Sequence, residues 1–74
     1  MEKRFYIRGN NHWVCDEKLM LAVNRFKRLT GKMPTEDADI TMFTGPYELL
    51  EKVGLRDIDG TINYPDGVTM TQIN

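Results

Sequence analysis

Residues 57–67, DIDGTINYPDG, set carboxylates at Asp57, Asp59 and Asp66 among Gly60 and Gly67. Two acids one residue apart can act as nucleophile and acid/base, and three on a tight loop can offer oxygen ligands to a hard cation. The same residues also suit a turn. In Tyr64-Pro65-Asp66-Gly67, Pro presets φ at the second position and Gly takes the left-handed conformation, which would close a hairpin between 61–64 and 68–72. A second pair, His12 and Cys15, has the residue types of a thiol nucleophile and its base. An offset of three puts them on opposite faces of a strand, and only a helix would bring them together. Cys15 is therefore expected as a small core residue.

Asp57-x-Asp59-Gly60-Thr61 resembles the first motif of haloacid-dehalogenase-type phosphatases, which implies a nucleophilic Asp57 and an acid/base Asp59. That family sets the motif after a buried strand early in a large α/β domain. Here the polar Lys52-Val53-Gly54-Leu55-Arg56 precedes it, and too few residues follow for the family's Lys and further acid. Residues 55–66 also resemble an EF-hand calcium loop of the calmodulin type. Asp57 falls at position 3, Asp59 at 5, Gly60 at 6, Thr61 at 7, Ile62 at 8 and Asp66 at 12, which implies calcium held by carboxylates. Leu55 stands where that family has its first ligand, and Asp66 where a longer Glu reaches the ion bidentately. The turn is the expectation, with calcium a minor alternative; no catalytic residue, metal or cofactor is assigned.

Charge carries more. Residues 1–33 hold eight Lys/Arg against three Asp/Glu, and residues 34–74 two against eight, so the halves carry +5 and −6 within a net −1. On a helical wheel Lys18, Leu21, Arg25 and Arg28 share a stripe that Lys32 would extend, opposite an apolar face. Arg4, Tyr6 and Arg8 alternate on what should be the outer face of the first strand. These eight residues are the candidate binding surface. An aromatic between two guanidinium groups suits single-stranded nucleic acid, whereas a solvated basic face suits an acidic protein. The pI of about 5.7 favours the protein.

The elements that would position them follow from periodicity. Lys3–Gly9 alternates as a half-buried strand with Phe5 and Ile7 inward, and Gly9-Asn10-Asn11 breaks it. His12–Cys15 is either a short return strand or the lead into a helix capped by Asp16. From Asp16 to Thr30, Leu19, Ala22, Val23, Phe26 and Leu29 form one helical face, and Gly31 and Pro34 end it. Residues 39–43 read as a strand with Ile40 and Met42 inward, or as part of a helix capped by Thr35. Gly45-Pro46-Tyr47-Glu48 opens a second helix that runs to Val53 and stops at Gly54.

The expected fold is one small α+β domain spanning 1–74. Its order is strand, helix, strand, helix, β-hairpin, with helices packed on a mostly antiparallel sheet. The expected core is Phe5, Ile7, Leu19, Ala22, Val23, Phe26, Leu29, Ile40, Met42, Leu50, Val53 and Ile62. One cysteine precludes an internal disulfide, no apolar run approaches the ~18 residues that span a membrane, and residues 1–11 lack a secretory signal. A soluble, cytoplasmic, unprocessed chain is expected. The function expected is a non-enzymatic protein-binding module or a regulatory or inhibitory accessory protein. The alternative is a nucleic-acid-binding domain, in a winged-helix form if 36–43 is helical.

Overall fold

The structure, a computed structural model, describes residues 2–55 and 62–74. β1 (Glu2–Gly9) turns back through Asn10 and Asn11 into β2 (His12–Asp16). Helix α1 (Leu19–Thr30) crosses over to β3 (Asp39–Gly45), followed by the single turn α2 (Tyr47–Leu50). Short strands β4 (Gly54–Leu55) and β5 (Ile62–Asn63) pair with each other, and β6 (Thr69–Gln72) closes the chain. The main sheet is antiparallel throughout in the order β2-β1-β3-β6. The α+β class is as expected; the order differs, because His12–Asp16 is a full strand and residues 39–45 are strand.

The strand at 39–45 removes the winged-helix alternative, which required a helix at 36–43. The expected C-terminal hairpin also divides. Its turn is present, with Val68 N–H donating to Pro65 O at 3.3 Å and Gly67 at φ 97°. The segments beside that turn go to different partners, β5 to β4 and β6 to β3. Helix α1 begins at Leu19 with Lys18 as its N-cap, so Asp16 does not cap it. Asp16 closes β2 instead and accepts the Glu17 N–H at 2.7 Å. Gly31 ends α1 in the left-handed conformation at φ 80°, as expected. α2 stops at Leu50, short of Val53.

Both faces of the sheet are covered, and this is the main departure from the periodicity. On one face α1 buries Ala22 and Phe26 against Ile7, Val14 and Ala38, with Phe5, Leu19, Val23 and Ile40 half-buried around them. On the other, Leu50, Val53 and Val68 close over Tyr6 and Phe43, with Cys15, Leu49 and Ile62 at the margin. A strand buried on both sides need not alternate apolar with polar. Tyr6, expected on the outer face, is 2% exposed, and Phe43, expected opposite the core, is 0% exposed. Met42 is half-buried. Leu29, expected in the core, is 54% exposed because the last turn of α1 overhangs the edge of β2.

Candidate functional site

The site starts from a two-residue turn. Asn10 and Asn11 both hold positive φ, 50° and 62°, the type I′ geometry whose twist matches the flanking strands and which Asn tolerates. Such a turn makes Gly9 and His12 a hydrogen-bonded pair, and antiparallel pairs then alternate. With Ile7 opposite Val14 and Phe5 opposite Asp16, the bonded residues of β2 are His12, Val14 and Asp16. Trp13 and Cys15 therefore direct their N–H and C=O groups away from β1. Among the described residues that side is the open edge of the sheet, since β2 is its terminal strand.

Along this edge runs a groove of about 650 Å³. One side is α1, which contributes Arg25, Arg28 and Leu29; Val14 lies on the same face. The other side is formed by Trp13, Cys15 and Tyr6, with Gly54 of β4 opposite. Trp13 is 38% exposed, an apolar surface placed beside two guanidinium groups. Arg25 donates from Nε to Asp16 Oδ2 at 3.1 Å, which neutralises part of its charge. Among the described residues Arg28 has no ion-pair partner, so it is the dominant free cation of the groove.

The floor holds two weak acids kept neutral. Burial, the Cys15 thiol and, in opposition, the Arg8 charge act on the Tyr6 hydroxyl, pushing its pKa up to about 12. Among the described residues that buried hydroxyl has no hydrogen-bond partner. Burial likewise pushes the Cys15 thiol up, while the Arg4 guanidinium opposes the shift by its charge and by donating Nε–H to Sγ at 2.9 Å. His12 cannot activate this thiol. It lies on the opposite face of β2, and its Nδ1–H donates to Asn10 O at 2.6 Å, the acceptor fixing the tautomer.

Of the eight residues singled out by type, the structure gathers Tyr6, Arg25 and Arg28 at the groove, and Arg4 beneath it through Cys15. Arg8 pairs across the ladder with Asp39. Lys18 caps α1, and Leu21 is 45% exposed outside the groove. Lys32 sits past the helix end beside Thr30 and Met33. The stripe is therefore divided among separate environments. Trp13, Val14, Cys15, Leu29 and Gly54 were not singled out as binding residues; the signal in the sequence was a tryptophan two residues beyond an Asn-Asn turn. The phosphatase-like and calcium-loop motifs both depend on 56–61, outside the described residues. Among the described residues no group of three or more His, Cys, Asp or Glu could hold a metal, and no helix is long and apolar enough to cross a membrane.

No family model, curated protein or solved structure matches this chain.

Proposed function

We propose that this chain is a small non-enzymatic binding module, acting as a regulatory or inhibitory accessory protein, whose groove beside β2 engages an acidic protein partner. The observation that carries the reading is the combination, on one sheet edge, of a half-exposed Trp13, an exposed Leu29 and an Arg28 with no ion-pair partner among the described residues. An aromatic anchor beside an arginine is the composition on which protein interfaces concentrate their binding energy. The reading is preferred to nucleic acid because Tyr6, the base-stacking residue that reading needs, is buried.

The test is capture of partners by the full chain from its native cell extract, with and without nuclease, in parallel with Arg25→Glu/Arg28→Glu. Nuclease-resistant capture of a protein lost in the double variant is the expected result. Capture abolished by nuclease, or capture indifferent to the double variant, overturns the reading.

A further inference from the structure

We propose that the groove receives an extended acidic segment of another protein, which adds to β2 as a fifth strand of the main sheet. This rests on the protein-binding reading above and specifies how the partner sits. The backbone supplies the first argument. Trp13 and Cys15 point their N–H and C=O groups outward, about 7 Å apart along the strand, which is the repeat an added strand needs. Sheet edges in natural proteins are ordinarily blunted by Lys, Pro or a bulge. β2 reads HWVCD, with neither Lys nor Pro, and its one carboxylate is turned to Arg25.

The walls supply the second argument. An added strand alternates its side chains between the two faces of the sheet. On the α1 side they meet Arg28, Arg25 and Leu29; on the other they meet Trp13 and Cys15, with glycine at position 54 leaving open space. The complementary segment alternates acidic residues toward α1 with apolar residues toward Trp13. The opposite edge has no such form: all four residues of β6 are exposed, and among the described residues no helix overhangs them.

Charge selects the occupant. A second copy of this chain paired edge to edge about a twofold axis would set both Arg28 side chains on the same side of the joined sheet, where they repel. A phosphodiester strand offers no N–H donors to the Trp13 and Cys15 carbonyls. An acidic peptide backbone satisfies both carbonyls and both amides while its carboxylates face Arg28.

The probe is a displayed library of random octapeptides selected on the full chain, followed by synthetic versions of the enriched peptides read by Trp13 fluorescence. Enrichment of acid–apolar alternation with period two is expected. N-methylation of the residues whose amides face β2 should weaken binding at least about tenfold, while N-methylation of the intervening residues should change it less than about threefold. Arg28→Glu should also weaken binding at least about tenfold. Enriched peptides that lack the alternation, or that tolerate N-methylation at the residues whose amides face β2 while still requiring Arg28, overturn strand addition and leave the protein-binding reading standing. No enrichment, alongside successful capture of a protein by the wild-type chain, does the same. No enrichment and no nuclease-resistant capture overturn both. A concentration-dependent dimer in sedimentation that Arg28→Glu strengthens and that blocks peptide binding assigns the edge to a second copy and also overturns the proposal.

Discussion

Arg4 on β1 and Cys15 on β2 meet diagonally across the ladder, the guanidinium Nε–H donating to the thiol sulfur at 2.9 Å. The contact sets a cation against the thiol from beneath the groove, yet burial outweighs it and holds the thiol above its ordinary 9.0. Because the thiolate is the reactive species, Cys15 is predicted to alkylate slowly. Iodoacetamide at pH 7.5 should modify the folded chain roughly tenfold or more slowly than the chain in urea. Equal rates in the two states would show that Arg4 offsets burial, and a faster rate in the folded chain would show that the thiol is activated.

Tyr6 makes alkaline stability measurable at one residue. Its hydroxyl is raised from 10.0 to about 12, so above pH ~10 the unfolded chain releases this proton while the folded chain keeps it. The native state then binds more protons than the unfolded state, and stability falls as pH rises. The contribution is fully present below about pH 10 and is lost as pH rises through about 12, a loss of roughly 2–3 kcal/mol. Cys15, raised from 9.0, adds a loss in the same direction that begins lower. In urea titrations at stepped pH, Tyr6→Phe should flatten the descent between 10 and 12. At pH 7 the substitution should leave stability unchanged or raise it by up to ~1 kcal/mol, since a buried hydroxyl without a partner among the described residues costs more than it contributes. A loss above ~1 kcal/mol at pH 7 would mean that the hydroxyl is hydrogen-bonded.

Local chemistry was legible where one element decides it. The α1 face, the Gly31 stop and the Pro65–Gly67 turn each follow from a few neighbouring residues. Tyr6 and Phe43 were not legible, because alternation reports a strand with one wet face and β1 and β3 have none. Their second cover comes from Leu50, Val53 and Val68, which lie outside β1 and β3 on elements of four residues or fewer or on loop. The division of the hairpin has the same origin: a turn fixes the reversal of the chain but not the neighbours its two arms find. The charged part of the candidate site was legible, through Arg25 and Arg28. The rest required knowing that β2 is an edge and that α1 overhangs it, which no spacing within 12–16 or 19–30 encodes.

Phe43 tests the second cover directly. It is fully buried beneath α2, and its ring lies 5.3 Å from that of Tyr64 at an interplanar angle of 56°. Phe43→Ala should cost about 3–5 kcal/mol, as much as a core of this size provides, so the variant should be largely unfolded by circular dichroism at 37 °C. Met70→Ser, exposed on β6 opposite Phe43, should shift stability by no more than about 0.5 kcal/mol. A cooperative, near-native melt for Phe43→Ala would mean that the α2 side of the sheet is not a core.

Gly67 carries the turn that separates β5 from β6. At φ 97° an L side chain is strained, and a Cβ would meet Leu49 Cδ1 at 2.9 Å. Gly67→Ala is predicted to cost about 1–2 kcal/mol in urea denaturation. An unchanged midpoint would show that the turn relaxes without disturbing Leu49.

The last prediction reads the electrostatics of the groove without any partner. Trp13 is the only tryptophan, and its exposed edge lies in the groove with Arg25 and Arg28. A local positive potential concentrates anions and repels cations within a Debye length of about 8 Å at physiological ionic strength. Asp16 cancels part of Arg25, so Arg28 should set the sign. Normalised to a free tryptophan amide, iodide should quench Trp13 more efficiently than caesium, by a factor of about two to three at low salt, with the difference shrinking as salt is added. Arg28→Glu should reverse the order. Lys18→Glu and Lys32→Glu, whose side chains lie outside the groove, should barely move it. Equal quenching by the two ions in the wild-type chain, or a larger response to Lys18→Glu than to Arg28→Glu, would place the functional charge on the outer face of α1 and not at the edge of β2.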